Sequence, residues 1–264
     1  MKKALCIISG GMDSAVAASI AKSEGYEIVA LHFDYLQRTM EKERECFEKI
    51  ANSLGVVDKV VIDTSFIADV GGNALTDKNI KIPKNALQDK EPPATYVAFR
   101  NGIFLSIATG IAQVQGCEAI YIGLVEVDGS GYPDCSSEFL EAMNKAANLG
   151  TGCDIKFKAP LIGLSKGQIV ATAYKLGVDL ANTWSCYENE DLACGECDSC
   201  LLRLKGFKEN NLNEQFKYSF TSISRSFLYK TNDDEIYEYH VNKNYKESPL
   251  YKKCLELIPS IDTT

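Results

Sequence analysis

Ser9-Gly10-Gly11-Met12-Asp13-Ser14 follows an apolar run, Ala4 to Ile8, and precedes an alanine-rich helical pattern, Ala15 to Ser23. Strand, glycine turn and helix start form an anion site. Glycines let the backbone come close, and free N–H groups and the helix dipole face the ligand. Ser9 and Ser14 add hydroxyl donors. Asp13 is the odd member, because a carboxylate beside phosphates repels them. It fits if a magnesium ion lies between, or if its oxygen caps the helix. The simpler reading of the stretch is an ordinary tight turn. No lysine follows the second glycine, so this is not a Walker loop, and the spacing is not G-x-G-x-x-G.

A second cluster, Cys186, Cys194, Cys197 and Cys200, is spaced C-x7-C-x2-C-x2-C. Four thiolates can close a tetrahedron around zinc with no position left open, which predicts a structural metal. A redox pair and an iron–sulfur cluster are the alternatives. Two cations stand out as well. Arg100 lies in an otherwise apolar helix start, where a guanidinium needs an anionic ligand or a structural ion-pair partner. Lys166 opens another helix, where it either clamps phosphates or is a solvated helix lysine.

These residues need a scaffold. Glu27–Phe33, Asp58–Ile62 and Glu118–Gly123 read as further strands, and Glu41–Leu54, Tyr96–Gln115, Ser136–Ala147 and Lys166–Leu176 as helices. Strands alternating with helices predict a doubly wound α/β fold with a parallel sheet. Its ligand rim lies at the carboxyl ends of the strands, near the switch point. That rim takes the loop after Ile8, the His32–Arg38 segment and the loop after Ile122. Residues 69–93 are polar and hold Gly71-Gly72, Pro83 and Pro92-Pro93. They read as a lid or as a mobile surface loop. Lys217–Val241 alternates polar and apolar residues around Thr231–Asp234 and reads as a hairpin. It is an edge of the sheet or a docking surface for a protein partner. Ser248–Ile258 is a candidate final helix.

At 264 residues and 45% hydrophobic, the chain is expected to form one main domain with an appendage. It has no apolar run of membrane length and no signal pattern, so a cytoplasmic protein is expected. A net charge of −8 argues against broad nucleic-acid binding.

Several further motifs occur in a fixed order with the first loop and the cysteines. They are Tyr35–Arg38, Arg100-Asn101, Ser130-Gly131-Tyr132-Pro133-Asp134-Cys135, Leu164-Ser165-Lys166 and Thr183–Tyr187. Together they resemble the 7-cyano-7-deazaguanine synthase family, the QueC enzymes of queuosine biosynthesis, over about residues 3–208. The resemblance implies an adenine nucleotide α-hydrolase-like fold of the ATP pyrophosphatases. Residues 1–208, with a zinc segment at 186–200, would be the catalytic domain, and 209–264 an extension. It also implies ATP with magnesium, bound zinc and 7-carboxy-7-deazaguanine as substrate, and suggests a homodimer. Ser9, Asp13, Ser14, Lys166 and Arg100 would then be catalytic. Ser9 to Ser14 (with Gly10, Gly11 and Met12) and His32 would contact the nucleotide. Asp134 would accept the two adjacent N–H donors of the base, with Tyr132 stacking on it and Glu138 as second choice, and Arg38 would also bind the substrate. The other reading of Asp134 is a cap on the helix starting near Ser136.

The chain departs from the family pattern at Thr39, Ala98-Phe99, Gly129 and Ser136. These positions bear on the acceptor rather than on adenylation. With ammonia as acceptor the adenylate becomes an amide, and a second ATP drives it to the nitrile. With a protein N-terminal amine, as the family resemblance suggests for QueC-like proteins of anti-phage CBASS operons, the secondary amide would be the end product. tRNA thiolation and a non-catalytic nucleotide-binding role are further alternatives.

Overall fold

The computed structural model describes residues 2–85, 92–126 and 131–212. Five parallel strands, β1 (Lys3–Ile7), β2 (Glu27–Asp34), β3 (Asp58–Asp63), β4 (Ala119–Tyr121) and β5 (Lys156–Lys158), lie in the order β3-β2-β1-β4-β5. The register sets Lys3 beside Glu27 and Ala4 beside Ala119. The middle strands are buried along nearly their whole length, as their unbroken apolar runs require. The expected doubly wound α/β architecture is borne out.

Neighbouring residues on β2 show the layering. His32 stacks on Phe47 of α2 (Met40–Leu54), and Phe33 stacks on Phe104 of α4 (Arg100–Gln115). Adjacent strand residues face opposite sides, so α2 and α4 cover opposite faces. Helix α1 (Met12–Ser23) is apolar on two sides. Ala15, Ala18 and Ala21 meet Phe47 and Tyr121, while Met12, Val16 and Ala17 meet Leu161, Ile169 and Phe207. Its alanines let it lie close against the sheet.

Strand order reverses between β1 and β4, and there the chain is very tight. A Cβ on Gly123, just past β4, would sit 2.7 Å from the Ser14 nitrogen. Only glycine fits where these two backbones meet.

Several boundaries differ from expectation. The helix expected from Tyr96 starts at Arg100, because Phe99 has φ +56° and breaks the run. Helix α1 starts at Met12, inside the glycine motif. A short α3 (Phe66–Val70), β5 and α7 (Asp198–Glu209) were not expected. Helix α5 (Ser137–Thr151) is capped by Ser136, whose side chain accepts the Phe139 N–H, and α6 (Lys166–Lys175) is capped by Ser165 in a capping box. In the 69–93 stretch, Asn73, Ala74, Leu75 and Ile82 are buried, so that part is packed rather than a free surface loop. The hairpin over Lys217–Val241, the helix over Ser248–Ile258, and Gly129 and Ser130 lie outside the described residues. No described helix is long and apolar enough to cross a membrane.

Candidate active site

The loop after β1 opens into one cleft at the switch point. Ser9, Gly11, Asp13, Ser14, Arg38, Arg100, Tyr132, Lys166 and Tyr187 all line it. Gly10 has φ +88°, and a Cβ there would lie 2.4 Å from the Glu43 carbonyl oxygen, so two independent constraints select glycine. The N-cap residue of α1, Gly11, has no side chain with which to cap the first amides of the helix, and its own N–H donates to Ser9 Oγ at 3.3 Å. The two serines differ. Ser14 is buried, accepts the Ser9 N–H at 3.1 Å and donates to the Gly11 carbonyl at 2.9 Å. It braces the turn. Ser9 is exposed and presents its hydroxyl to the cleft. Met12 sends its side chain into the core and offers the site only backbone.

Asp13 does not cap the helix. Its Oδ2 pairs with Lys166 Nζ at 2.5 Å. Its Oδ1 is buried and has no hydrogen-bond partner among the described residues. A buried, orphaned carboxylate oxygen beside a phosphate-type loop is a fitting ligand for a hard cation such as magnesium.

Arg100 donates to the Tyr35 hydroxyl at 3.1 Å and lies over the Tyr35 and Phe104 rings. No carboxylate pairs with it among the described residues. The structural ion pair expected as its alternative is therefore not formed, and the cation faces the cleft. Tyr132 presents its ring to the same cleft, and its hydroxyl is 2.8 Å from Thr95 Oγ1.

Glu43 is a cleft residue that sequence reading missed. Its Oε1 accepts the Thr39 hydroxyl at 2.7 Å and its Oε2 accepts Gln37 Nε2 at 3.1 Å. Burial pushes its carboxyl up to about 7, against the lowering effect of those two hydrogen bonds and of Arg100. In sequence Glu43 sits in the run Glu41-Lys42-Glu43-Arg44-Glu45, which reads as a solvated helix face.

The Sγ atoms of Cys186, Cys194, Cys197 and Cys200 lie within 4.8 Å of one another and could hold a metal ion. Gly195 turns the chain at φ +72°, so the amides of Glu196 and Cys197 both donate to Cys194 Sγ. The amides of Glu188, Asn189 and Cys194 donate to Cys186 Sγ. Such donors favour thiolates. The cluster is also tied to the cleft. Lys84 and Cys197 form an antiparallel bridge, and the Trp184 N–H donates to Gly10 O at 2.9 Å. Helix α7 packs on α6 so closely that a Cβ on Gly206 would lie 2.9 Å from Lys166 O. Buried Arg203 of α7 holds Thr183 Oγ1 and Leu180 O.

Four of the residues named from sequence are placed elsewhere or do something else. Arg38 lines the cleft, but its guanidinium donates to the Asp77 and Ile80 carbonyls and so holds the 73–82 segment. His32 does not line the cleft. It is buried, its Nδ1 donates to Ile8 O at 2.8 Å, its Nε2 lies 3.4 Å from Asp34 Oδ1, and burial holds its imidazole below the ordinary value. Asp134 is buried off the cleft lining. Its Oδ2 accepts the Asn101 N–H at 2.9 Å, so it caps α4, not the helix after Ser136. Glu138 is exposed on the first turn of α5, away from the cleft.

The family model described as "Queuosine biosynthesis protein QueC" matches residues 3–211. A Campylobacter fetus protein named 7-cyano-7-deazaguanine synthase is 61% identical over 219 residues, covering 83% of this chain and 98% of the relative. One from Campylobacter jejuni with the same name is 60% identical over 82% of this chain and 98% of its own length. One from Campylobacter concisus is 53% identical over 83% and 99%. With the family model spanning the whole described scaffold and relatives matched almost end to end, the chain belongs to the QueC family.

Proposed function

We propose that the chain is a 7-cyano-7-deazaguanine synthase, an ATP-dependent ligase that turns the carboxylate of 7-carboxy-7-deazaguanine into a nitrile with ammonia as nitrogen donor. One observation carries the reading: the phosphate-type loop and Arg100, a cation with no carboxylate partner among the described residues, open into the same cleft. A carboxylate does not expel oxide at neutral pH. Attack of its oxygen on the α-phosphorus of ATP makes that oxygen part of AMP, which can leave. Pyrophosphate departs toward the amides of Gly11 and α1 and the Ser9 hydroxyl, which take up its growing charge. Arg100 holds the substrate carboxylate, and Tyr132 stacks on the base. Lys166, paired with Asp13 Oδ2, would help neutralise the phosphates. Asp13 Oδ1 would hold magnesium, whose chemistry is charge neutralisation on the phosphates. The four cysteines would hold zinc as a structural ion. Residues 1–208 form the catalytic domain. The 53–61% identical relatives carry the synthase name, which favours ammonia over a protein amine as acceptor.

Mass spectrometry after incubation with ATP, magnesium and 7-carboxy-7-deazaguanine tests the reading. The nitrile should form only when ammonium is present. Adenylate that persists despite ammonium and is consumed only by a partner protein would overturn it.

Arg100→Met keeps the stem and removes the charge. A charge-assisted hydrogen bond is worth roughly 1.5–3 kcal/mol, so KM for the deazaguanine acid should rise about 10–100-fold. KM for ATP should stay near its original value. Steady-state kinetics with each substrate varied separates the two.

A further inference from the structure

Glu43 is a carboxylate in the cleft wall to which the proposed adenylation chemistry assigns no step. Gln37 and Thr39 hold both of its oxygens from the side. Gln37 is itself fixed, since its Oε1 accepts the Tyr35 N–H at 3.0 Å. Each carboxylate oxygen keeps a lone pair for one more donor. The charged and titratable groups facing it are Arg100 and Tyr35 across the cleft and Asp34 at the end of β2. Its backbone carbonyl abuts Gly10, and Glu43 lines the same cleft as Ser9, Gly11 and Asp13 of the phosphate loop. An acid near a nucleotide would repel phosphate, but it would attract a small cation. The nitrogen donor is such a cation: in neutral water it is overwhelmingly ammonium, which has no lone pair to attack with.

Resting on the synthase reading above, we propose that Glu43 binds the incoming ammonium and takes its proton, making it the general base of amide formation. Ammonium passes one proton to the Glu43 carboxylate. The freed lone pair forms the C–N bond at the acyl carbon of the adenylate. The C–O bond to AMP breaks and its electron pair leaves with AMP. The second surplus N–H proton goes to the departing phosphate. Thr39, one of the positions at which the chain departs from the family pattern, thereby acts as a positioning residue on this base. A carboxyl raised to about 7 is well matched to the task, being about half ionised at neutral pH and basic enough to accept a proton.

The test uses Glu43→Gln, which keeps size and hydrogen-bonding reach. Two reactions are compared in the same preparation: pyrophosphate–ATP exchange dependent on the deazaguanine acid, and capture of the adenylate by ammonium. The ratio of capture to exchange should fall about 100-fold, in the range typical of a lost general base. Hydroxylamine, which is uncharged at neutral pH, should restore capture. In the variant the ammonium reaction should climb about tenfold per pH unit, because only free ammonia remains to react. In the unaltered protein it should level off above about pH 7, where Glu43 is ionised. An equal fall in exchange, ammonium capture and hydroxylamine capture would mean that Glu43 only supports the loop, and would overturn the proposal. An unaltered protein without acid-dependent exchange would instead overturn the synthase reading.

Discussion

Asp13→Ala is expected to abolish pyrophosphate formation while leaving the metal-binding capacity of the cysteine cluster intact. Adenylation concentrates charge on the phosphates, and the protein offers amides, Ser9, Lys166 and the Asp13 carboxylate to manage it. Without a cation, Asp13 opposes the reaction by repelling phosphate. Its retention beside the loop makes sense through Oδ1, a buried oxygen with no partner among the described residues. The rate of pyrophosphate release should fall on the order of 10³-fold, equivalent to about 4 kcal/mol of lost transition-state stabilisation.

Binding separates this role from a merely structural one. In Asp13→Ala the repelling carboxylate is gone and Lys166 no longer pairs with it, so ATP without magnesium should bind several-fold tighter. Magnesium should no longer strengthen ATP binding. Calorimetric titration with and without the metal reads both effects. Asp13→Asn gives a second variant of nearly the same size. If magnesium strengthened ATP binding equally in the parent and both variants, Asp13 would be only the ion-pair partner of Lys166.

The scaffold was legible because it depends on runs of apolar residues and on glycines, and both are written locally. The Ala4–Ile8 run, the Gly10-Gly11 turn and the alanines of α1 each have one structural use. The cysteine spacing is local too. What stayed hidden depends on contacts far along the chain. Helix α7 is polar in composition and is held by the cysteine cluster, by Gly206 against Lys166, and by Arg203 reaching back to Leu180. Glu43 looks like every other charge in its run until the fold turns it toward Thr39 and Gln37.

Asp134 and His32 teach the converse. Both have the chemistry of ligand contacts, and both spend part of it inside the protein, with Asp134 Oδ1 and His32 Nε2 left without a hydrogen-bond partner among the described residues. Asp134 satisfies an amide at the start of α4, and His32 a carbonyl at the end of β1. An irregular helix start and a buried strand end leave polar backbone groups that must be paired. No pattern in the sequence tells such a use from binding. Arg100 went the other way. The apolar run around it signalled burial, and the absence of a carboxylate partner among the described residues turned that signal into a site.

If the cysteine cluster holds the metal proposed for it, stripping that metal by a chelator or by Cys197→Ser should cost the protein both stability and activity. The segment around the cysteines has little apolar core of its own, and metal binding at such sites is worth roughly 10–16 kcal/mol, which acts as folding energy. A net loss of even about 4 kcal/mol should lower the melting temperature by about 10 °C in a domain of this size. The damage would spread along three ties. Cys197 bridges to Lys84 and the Asn85 N–H donates to the Glu196 carbonyl at 3.0 Å, so the 73–85 segment loses an anchor. Tyr187 and Ser199 form cleft wall beside two of the thiolates. Cys197 also caps α7, and α7 sets the backbone of Lys166 through Gly206. Acid-dependent pyrophosphate–ATP exchange should therefore fall together with metal content, and the 73–85 segment should become open to protease. A structural ion of this kind has no reacting atom in reach, so added zinc should restore exchange and melting temperature in parallel. Exchange that survives full removal of the metal would break the link between the cysteine cluster and Lys166.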